Sequence, residues 1–257
     1  MNLLPLQHTV LYGPINSRRL GKSLGINLMP MEYKLCSFNC VYCHYGWTKV
    51  HTFTTDAFEK DMPRPDDVID AVKKALISEE QFDYLTFSGN GEPTLYPQFS
   101  SIVEEIVRLR NKYRSGLKIA LLSNSSGLVI PGVKNNIELI DLPVFKLDAG
   151  TDRSFMSINR PAQDVNFEEI IEHLRSLSGI IIQTVLLQGT PGNTQEQDLQ
   201  AYFAHIRAIR PKAVHIYSID RPVPNVNIRR VLPGDLDRIA QLGMLKTGIE
   251  FMPYYLR

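Results

Sequence analysis

Cys36, Cys40 and Cys43 are the only cysteines in the 257-residue chain, and they fall within the single stretch YKLCSFNCVYCHYGW (33–47). Their spacing is C-x3-C-x2-C. Free cysteine is commonly an ordinary buried thiol, but that does not account for all three standing in one short loop. A structural zinc ion closes its tetrahedron with four ligands. His44 is available as a fourth, yet it directly neighbours Cys43, which makes one tetrahedral grip awkward. Iron–sulfur clusters take thiolates, usually one per iron, so three cysteines leave one iron of a four-iron cluster open to a non-protein ligand. An open coordination position is also what separates catalytic from structural zinc sites.

The elements that must position this loop are read from period and punctuation. Apolar, β-rich runs occur at 24–30, 83–88, 118–123, 142–148, 180–187 and 213–219. Between them lie segments with apolar residues three and four apart, among them PDDVIDAVKKALI, FSSIVEEIVRLRNKY, NFEEIIEHLRSL and EQDLQAYFAHIRAI, with the weaker GDLDRIAQLGML after the last run. Strands that are apolar throughout are buried on both faces, as in a parallel sheet covered by helices. Six strand–helix units in series predict an α/β fold, and six is short of the eight of a closed barrel. A partial (β/α)6 barrel is therefore expected, with a doubly wound sheet as the alternative. The expected division is an N-terminal arm over 1–23, a core over 24–225, and a helical segment and tail over 226–257 that cover the barrel. In parallel α/β folds the functional loops follow the carboxyl ends of the strands. The cysteine loop, SGNGEPT (88–94), SNSSG (123–127), KLDAG (146–150) and YSIDRP (217–222) all fall there.

With these stretches in view, the chain resembles the radical S-adenosyl-L-methionine (SAM) superfamily, whose signature is C-x3-C-x2-C with an aromatic, here Tyr42, before the last cysteine. The resemblance implies a 4Fe-4S cluster on Cys36, Cys40 and Cys43, with SAM chelating the open iron. An electron from the cluster then breaks the sulfonium bond to give methionine and a 5′-deoxyadenosyl radical. It further implies that Gly89, Asn90, Gly91, Glu92 and Pro93 form the glycine-rich loop that holds the SAM amino group. Glu92 is the one carboxylate of that loop, and Asn90 departs from the usual Gly-Gly-Glu. Ser123 and Asn124 match positions that contact the SAM carboxylate or ribose, and Lys146 and Asp148 match ribose contacts. Gln183 is a polar residue within an apolar strand, and so a candidate for the barrel lumen. Any of these could instead cap a helix or satisfy loop backbone. The arm YGPINSRRLGKSLGINLMP, INRPAQ (158–163) and YSIDRPVP (217–224) resemble a subgroup related to the tRNA wyosine-base synthases. Arg160 and Arg221 are candidate clamps for a substrate anion, since a guanidinium holds carboxylate or phosphate bidentately; turn arginines on the surface are the alternative.

Composition narrows the partners. Twenty-eight Lys and Arg against 27 Asp and Glu leave a net charge of +1, which lends no support to a nucleic-acid substrate. The wyosine synthases use further cysteines for a second cluster, and three thiols cannot supply one. No apolar run approaches the roughly 20 residues that span a bilayer, and an odd cysteine count without a secretory leader suggests a reducing, cytoplasmic setting. The resemblance implies a reducing electron donor of flavodoxin or ferredoxin type. The competing readings are a glycyl-radical activase and a non-catalytic iron–sulfur module.

Overall fold

Local chemistry explains the long helices. α1 (Pro65–Ile77) starts on a proline, places Asp66 and Asp67 in its positive first turn, and buries Val68, Val72 and Leu76 at intervals of four. α2 (Phe99–Tyr113) buries Phe99, Ile102, Val103, Ile106 and Leu109 on one side and carries Arg110 and Lys112 in its last turn. The structure, a computed structural model, describes residues 3–255. Leu256 and Arg257 at the end of the tail, and Met1 and Asn2 at the start of the arm, lie outside the described residues. The fold is an α/β partial barrel, a curled sheet of mostly parallel strands with helices between successive strands. No helix among the described residues is long and apolar enough to cross a membrane.

The chain divides into two compact units. One comprises Leu6–Ser37 and Thr48–Pro143. Its strands lie in the order β1 (Leu11–Ser17), β2 (Gly21–Ile26), β3 (Tyr84–Phe87) and β4 (Lys118–Ser123). β1 and β2 are antiparallel, and β2, β3 and β4 are parallel. Ile26, Leu85, Phe87, Ile119 and Leu121 are completely buried. α1 and α2 pack against one another, and the short α3 (Pro131–Asn135) adjoins α2.

The other unit comprises Met1–Pro5, Phe38–Trp47 and Val144–Arg257. From β5 (Leu142–Lys146), which begins at its boundary, the chain runs through α4 (Asp152–Ile158), α5 (Phe167–Arg175), β6 (Ile181–Val185), α6 (Glu196–Ile209), β7 (Ala213–Tyr217), α7 (Pro233–Thr247) and β8 (Phe251–Tyr254). The four strands are parallel and adjacent in chain order. Lys146 pairs with Gln183, Gln183 with His215, and His215 with Met252. Paired residues on neighbouring strands project to the same face, so one face carries a polar row. The opposite face presents Phe145, Ile182 and Val214, all fully buried.

Two strands of the eight-stranded sheet lie beyond the six expected. β1 falls in the arm and β8 in the C-terminal tail, and both are edge strands that contain a proline, Pro14 and Pro253. Proline removes a ladder donor and is tolerated only at such edges, so neither segment reads as a strand from its sequence. In β1 the register shifts between Tyr12 and Ile15, where Gly13 and Pro14 stand. α4 was likewise not expected; seven residues long, it is held by a capping box between Thr151 and Ser154.

Candidate cofactor site

In the first unit Cys36 lies on a two-residue parallel bridge, Leu35–Cys36 with Val50–His51, and is buried. The Asn124 side-chain Nδ2 stands 3.5 Å from Cys36 Sγ and donates to Ser37 Oγ at 2.9 Å. Its orientation is determined, because Asn124 Oδ1 accepts from the Ser126 backbone N–H at 2.9 Å. The preceding Ser123 and the turn at Ser125, whose φ is +79°, aim this loop.

The same unit holds Glu92, 1% exposed. Its Oε1 accepts from Thr94 Oγ1 at 2.6 Å, Ser123 Oγ at 2.8 Å and Thr94 N–H at 3.2 Å, and its Oε2 accepts from Asn124 N–H at 2.6 Å. Burial pushes the Glu92 carboxyl above its usual range, opposed by these hydrogen bonds. It pairs with no Lys, Arg or His among the described residues. Gly91 passes so close to the neighbouring chain that a Cβ there would lie 1.6 Å from Leu35 O, and Gly89 has φ +128°. Asn90 explains its own departure from the family pattern: its side chain pairs both ways with the Gln7 backbone at 2.8 Å and donates to Pro30 O at 2.9 Å. That side chain therefore fastens the arm, and the Asn90 backbone is used within the fold as well, its N–H donating to Asn27 Oδ1 at 3.0 Å and its carbonyl accepting from Leu35 N–H at 3.2 Å. Pro93 opens a 3-10 turn and carries no polar group toward the site.

In the second unit the loop that carries Cys40 and Cys43 is strapped by residues 158–161. Val41 N–H donates to Ile158 O at 3.0 Å, Asn39 N–H to Asn159 O and Arg160 O at 3.0 Å each, and Phe38 bridges Pro161. Asn159 Nδ2 stands 3.6 Å from Cys40 Sγ and 2.8 Å from Asp148 Oδ2. Cys40 is buried and Cys43 half-buried. Among the described residues no three Cys, His, Asp or Glu crowd together as ligands of one ion. Thiolates that each serve a different iron need no such crowding. Amide N–H groups aimed at Cys36 and Cys40 are the surroundings that thiolate sulfur of a cluster requires, so the residues fit the group.

Asp148 is the hub of this unit. Its Oδ2 accepts from Tyr42 OH and Asn159 Nδ2, and its Oδ1 accepts from Val185 N–H at 2.8 Å and pairs with Lys146 Nζ at 3.3 Å. Lys146 Nζ also donates to Tyr217 OH at 3.2 Å and lies over the Tyr42 and Tyr217 rings at 5.0 and 5.4 Å. Burial pulls the Lys146 ammonium down, but Asp148, Tyr217 and Cys40 together more than offset it and the net direction is up, so the lysine stays charged. Tyr42 is pushed well up by burial and then by Asp148, and stays a neutral donor. Gln183 Nε2 donates to Tyr217 OH at 2.7 Å, while Gln183 Oε1 is buried without a partner. Asp148, with four internal partners, thus supports Tyr42 and Lys146. Asp148→Ala should cost roughly 3 kcal/mol, since it takes the acceptor from a mostly buried ammonium and three further donors; urea unfolding of the cluster-free protein checks this, and a cost below about 1 kcal/mol would contradict the hub role.

Arg160, at φ +46°, is exposed and stacks at 4.9 Å on the half-exposed Trp47, beside the strap. Arg221 is exposed in the loop after β7. Sequence reading passed over Asn159, Thr94 and Tyr217. Asn159 was quoted in INRPAQ, but only the tertiary fold brings it to Cys40.

The family model described as the Radical SAM superfamily matches residues 33–206, and the chain belongs to that superfamily. It is 33% identical over 220 residues to the UPF0026 protein of Methanocaldococcus jannaschii, covering 83% of this chain and 64% of that protein. It also matches a protein of Brachyspira hyodysenteriae named GTPase Obg, at 27% identity over 93% of this chain but only 34% of that protein. The chain therefore spans less than two thirds of the length of these relatives. In fold it is similar to a radical SAM methyltransferase from Sphaerobacter thermophilus, with TM-score 0.64 at 15% identity over 91% of this chain and 66% of the other. It is similar also to TYW1 solved with a lysine-pyruvate adduct bound, with TM-score 0.60 at 16% identity over 88% and 75%.

Proposed function

We propose that the chain is a radical SAM enzyme whose Cys36, Cys40 and Cys43 hold a 4Fe-4S cluster and whose Glu92 loop holds SAM. When bound and reduced, the cluster supplies the electron that cleaves SAM to methionine and a 5′-deoxyadenosyl radical, which takes hydrogen from a substrate. The observation that carries the reading is Glu92: a fully buried carboxylate with four donors and no cation of its own. A buried carboxylate normally has a partner, and the N–H groups of the SAM amino nitrogen, beside its sulfonium cation, are donors of the right kind. Ser123 and the Asn124 backbone orient the carboxylate, while Gly91 allows the loop to approach the chain ahead of Cys36. Lys146, held charged by Asp148, and Gln183, with its unpaired oxygen, offer a cation and an acceptor toward the remaining polar groups of SAM or substrate. Arg160 and Arg221 are exposed cations available to a substrate anion. A low-potential donor of flavodoxin or ferredoxin type supplies the electron.

The first test is electron paramagnetic resonance of anaerobically reconstituted, reduced protein with and without SAM. A four-iron signal that changes on adding SAM is expected; a cluster indifferent to SAM would leave an iron–sulfur module without this chemistry. The pH dependence of SAM binding is a second test. Folded Glu92 ionises above its unfolded value, so without SAM its charge opposes folding, and stability falls as pH rises through that window. The SAM amino N–H groups favour the charged carboxylate, so affinity should rise with pH across the same window. Glu92→Gln should weaken binding at least tenfold and flatten the acid limb. Calorimetry that shows the same affinity and pH profile for both proteins would remove Glu92 from the site.

A further inference from the structure

We infer that Asn159, with Asn124 in the same role on the other thiol, tunes the reduction potential of the cluster by donating an amide hydrogen bond to a ligating sulfur. The inference rests on the reading that the three cysteines carry the cluster. Asn159 is 1% exposed, and its Nδ2 faces Cys40 Sγ at 3.6 Å, Tyr42 OH at 3.3 Å and Asp148 Oδ2 at 2.8 Å. Asp148 Oδ2 is an acceptor that also takes the Tyr42 hydroxyl, so it admits only the N–H end of the amide; this orientation is imposed and the second amide hydrogen is left for the Cys40 side. Meanwhile Asn159 Oδ1 is buried without a partner. Leaving a carbonyl unpaired costs free energy, which a residue kept only for packing would avoid.

The backbone shows the same commitment. The Asn159 carbonyl accepts from Asn39 N–H, one residue before Cys40, and Arg160 next to it holds φ +46° while stacked on Trp47. A non-glycine residue in that conformation is retained where the surroundings over-determine it. The strap therefore holds the amide against the sulfur rather than letting it rotate away. Asn124 is placed by a different device to the same end, with its Oδ1 fixed by Ser126 N–H and its Nδ2 3.5 Å from Cys36 Sγ.

The consequence is electrostatic. Reduction adds a negative charge that spreads onto the thiolate sulfurs, and an N–H donor stabilises that form more than the oxidised one. Hydrogen bonds to sulfur raise the potential of a cluster. Asn159 is thus a positioning residue for electron entry, since a higher potential makes the cluster easier for a given donor to reduce.

The experiment measures the midpoint potential of the SAM-free, reconstituted protein by dye-mediated titration followed by electron paramagnetic resonance, with iron and sulfide content in parallel. Asn159→Leu keeps the branched shape, at a larger volume, and removes the donor. With a full cluster its potential should move to a more negative value, and an equal potential overturns the inference. Should Asn159→Leu load poorly, Asn159→Asp and Asn124→Leu decide it: both are expected below the wild-type potential, and wild-type values in both overturn the inference. A wild-type protein that binds no cluster would instead sink the cofactor reading itself, an outcome distinct from a full cluster with unmoved potentials.

Discussion

Cys40→Ala is expected to lose the four-iron cluster and with it all SAM cleavage, a fall of activity to background rather than a partial decline. Cys40 occupies the middle of the C-x3-C-x2-C loop and is buried, with Asn159 Nδ2 3.6 Å from its sulfur. Two thiolates would leave two irons of a four-iron cluster without protein ligands. Loss of the sulfur itself is a small packing change, on the order of 1 kcal/mol, so the cluster-free variant should melt close to cluster-free wild type. That pairing separates cofactor loss from misfolding. The readouts are iron and sulfide content, visible absorbance, and 5′-deoxyadenosine formed under dithionite. Retained deoxyadenosine formation in Cys40→Ala would refute the proposed enzyme.

Gly91→Ala has the largest expected effect on structure. The added Cβ would lie 1.6 Å from Leu35 O and 2.7 Å from Leu35 C, backbone atoms that cannot swing aside. Gly91 and Leu35 form a parallel bridge, and Leu35 N–H donates to Asn90 O at 3.2 Å. Relief requires moving the chain that leads directly into Cys36. We expect a loss of roughly 3 kcal/mol in cluster-free protein, together with impaired cluster loading. Gly116→Ala is the matched control: its Cβ would meet nothing within 4 Å, and stability should change by less than about 1 kcal/mol. Equal stabilities for the two variants, by urea unfolding, would show that the Glu92 loop does not press on the cysteine strand.

Much of the scaffold was legible because its signals are local. α1, α2 and α6 occupy the very segments whose apolar residues recur every three and four positions, bounded at α1 by Pro65. The six apolar runs became the parallel strands of a partial barrel, since a run buried on both faces has few other places to go. The edge strands were hidden for the converse reason: Pro14 and Pro253 are acceptable only because one side of each strand makes no ladder, a fact that exists once the sheet is assembled.

Membership of the radical SAM superfamily belongs to the first category. Three thiols in one loop and a Gly-Glu-Pro turn are short-range patterns, and their meaning depends on residue type and spacing alone. What tertiary structure decided is how each polar group is used. Asp148 reads in the sequence as a ribose contact but is enclosed by Tyr42, Asn159, Val185 and Lys146. Asn90, which reads as a loop variant, fastens Gln7. Asn159, which stands 119 positions from Cys40, places its amide on that sulfur. Hydrogen-bond capacity is finite and burial makes every unpaired group costly. Which atoms are consumed within the fold, and which remain for a ligand, is therefore a property of the packed chain, whereas the identity of the reactive groups was already present in the order of its residues.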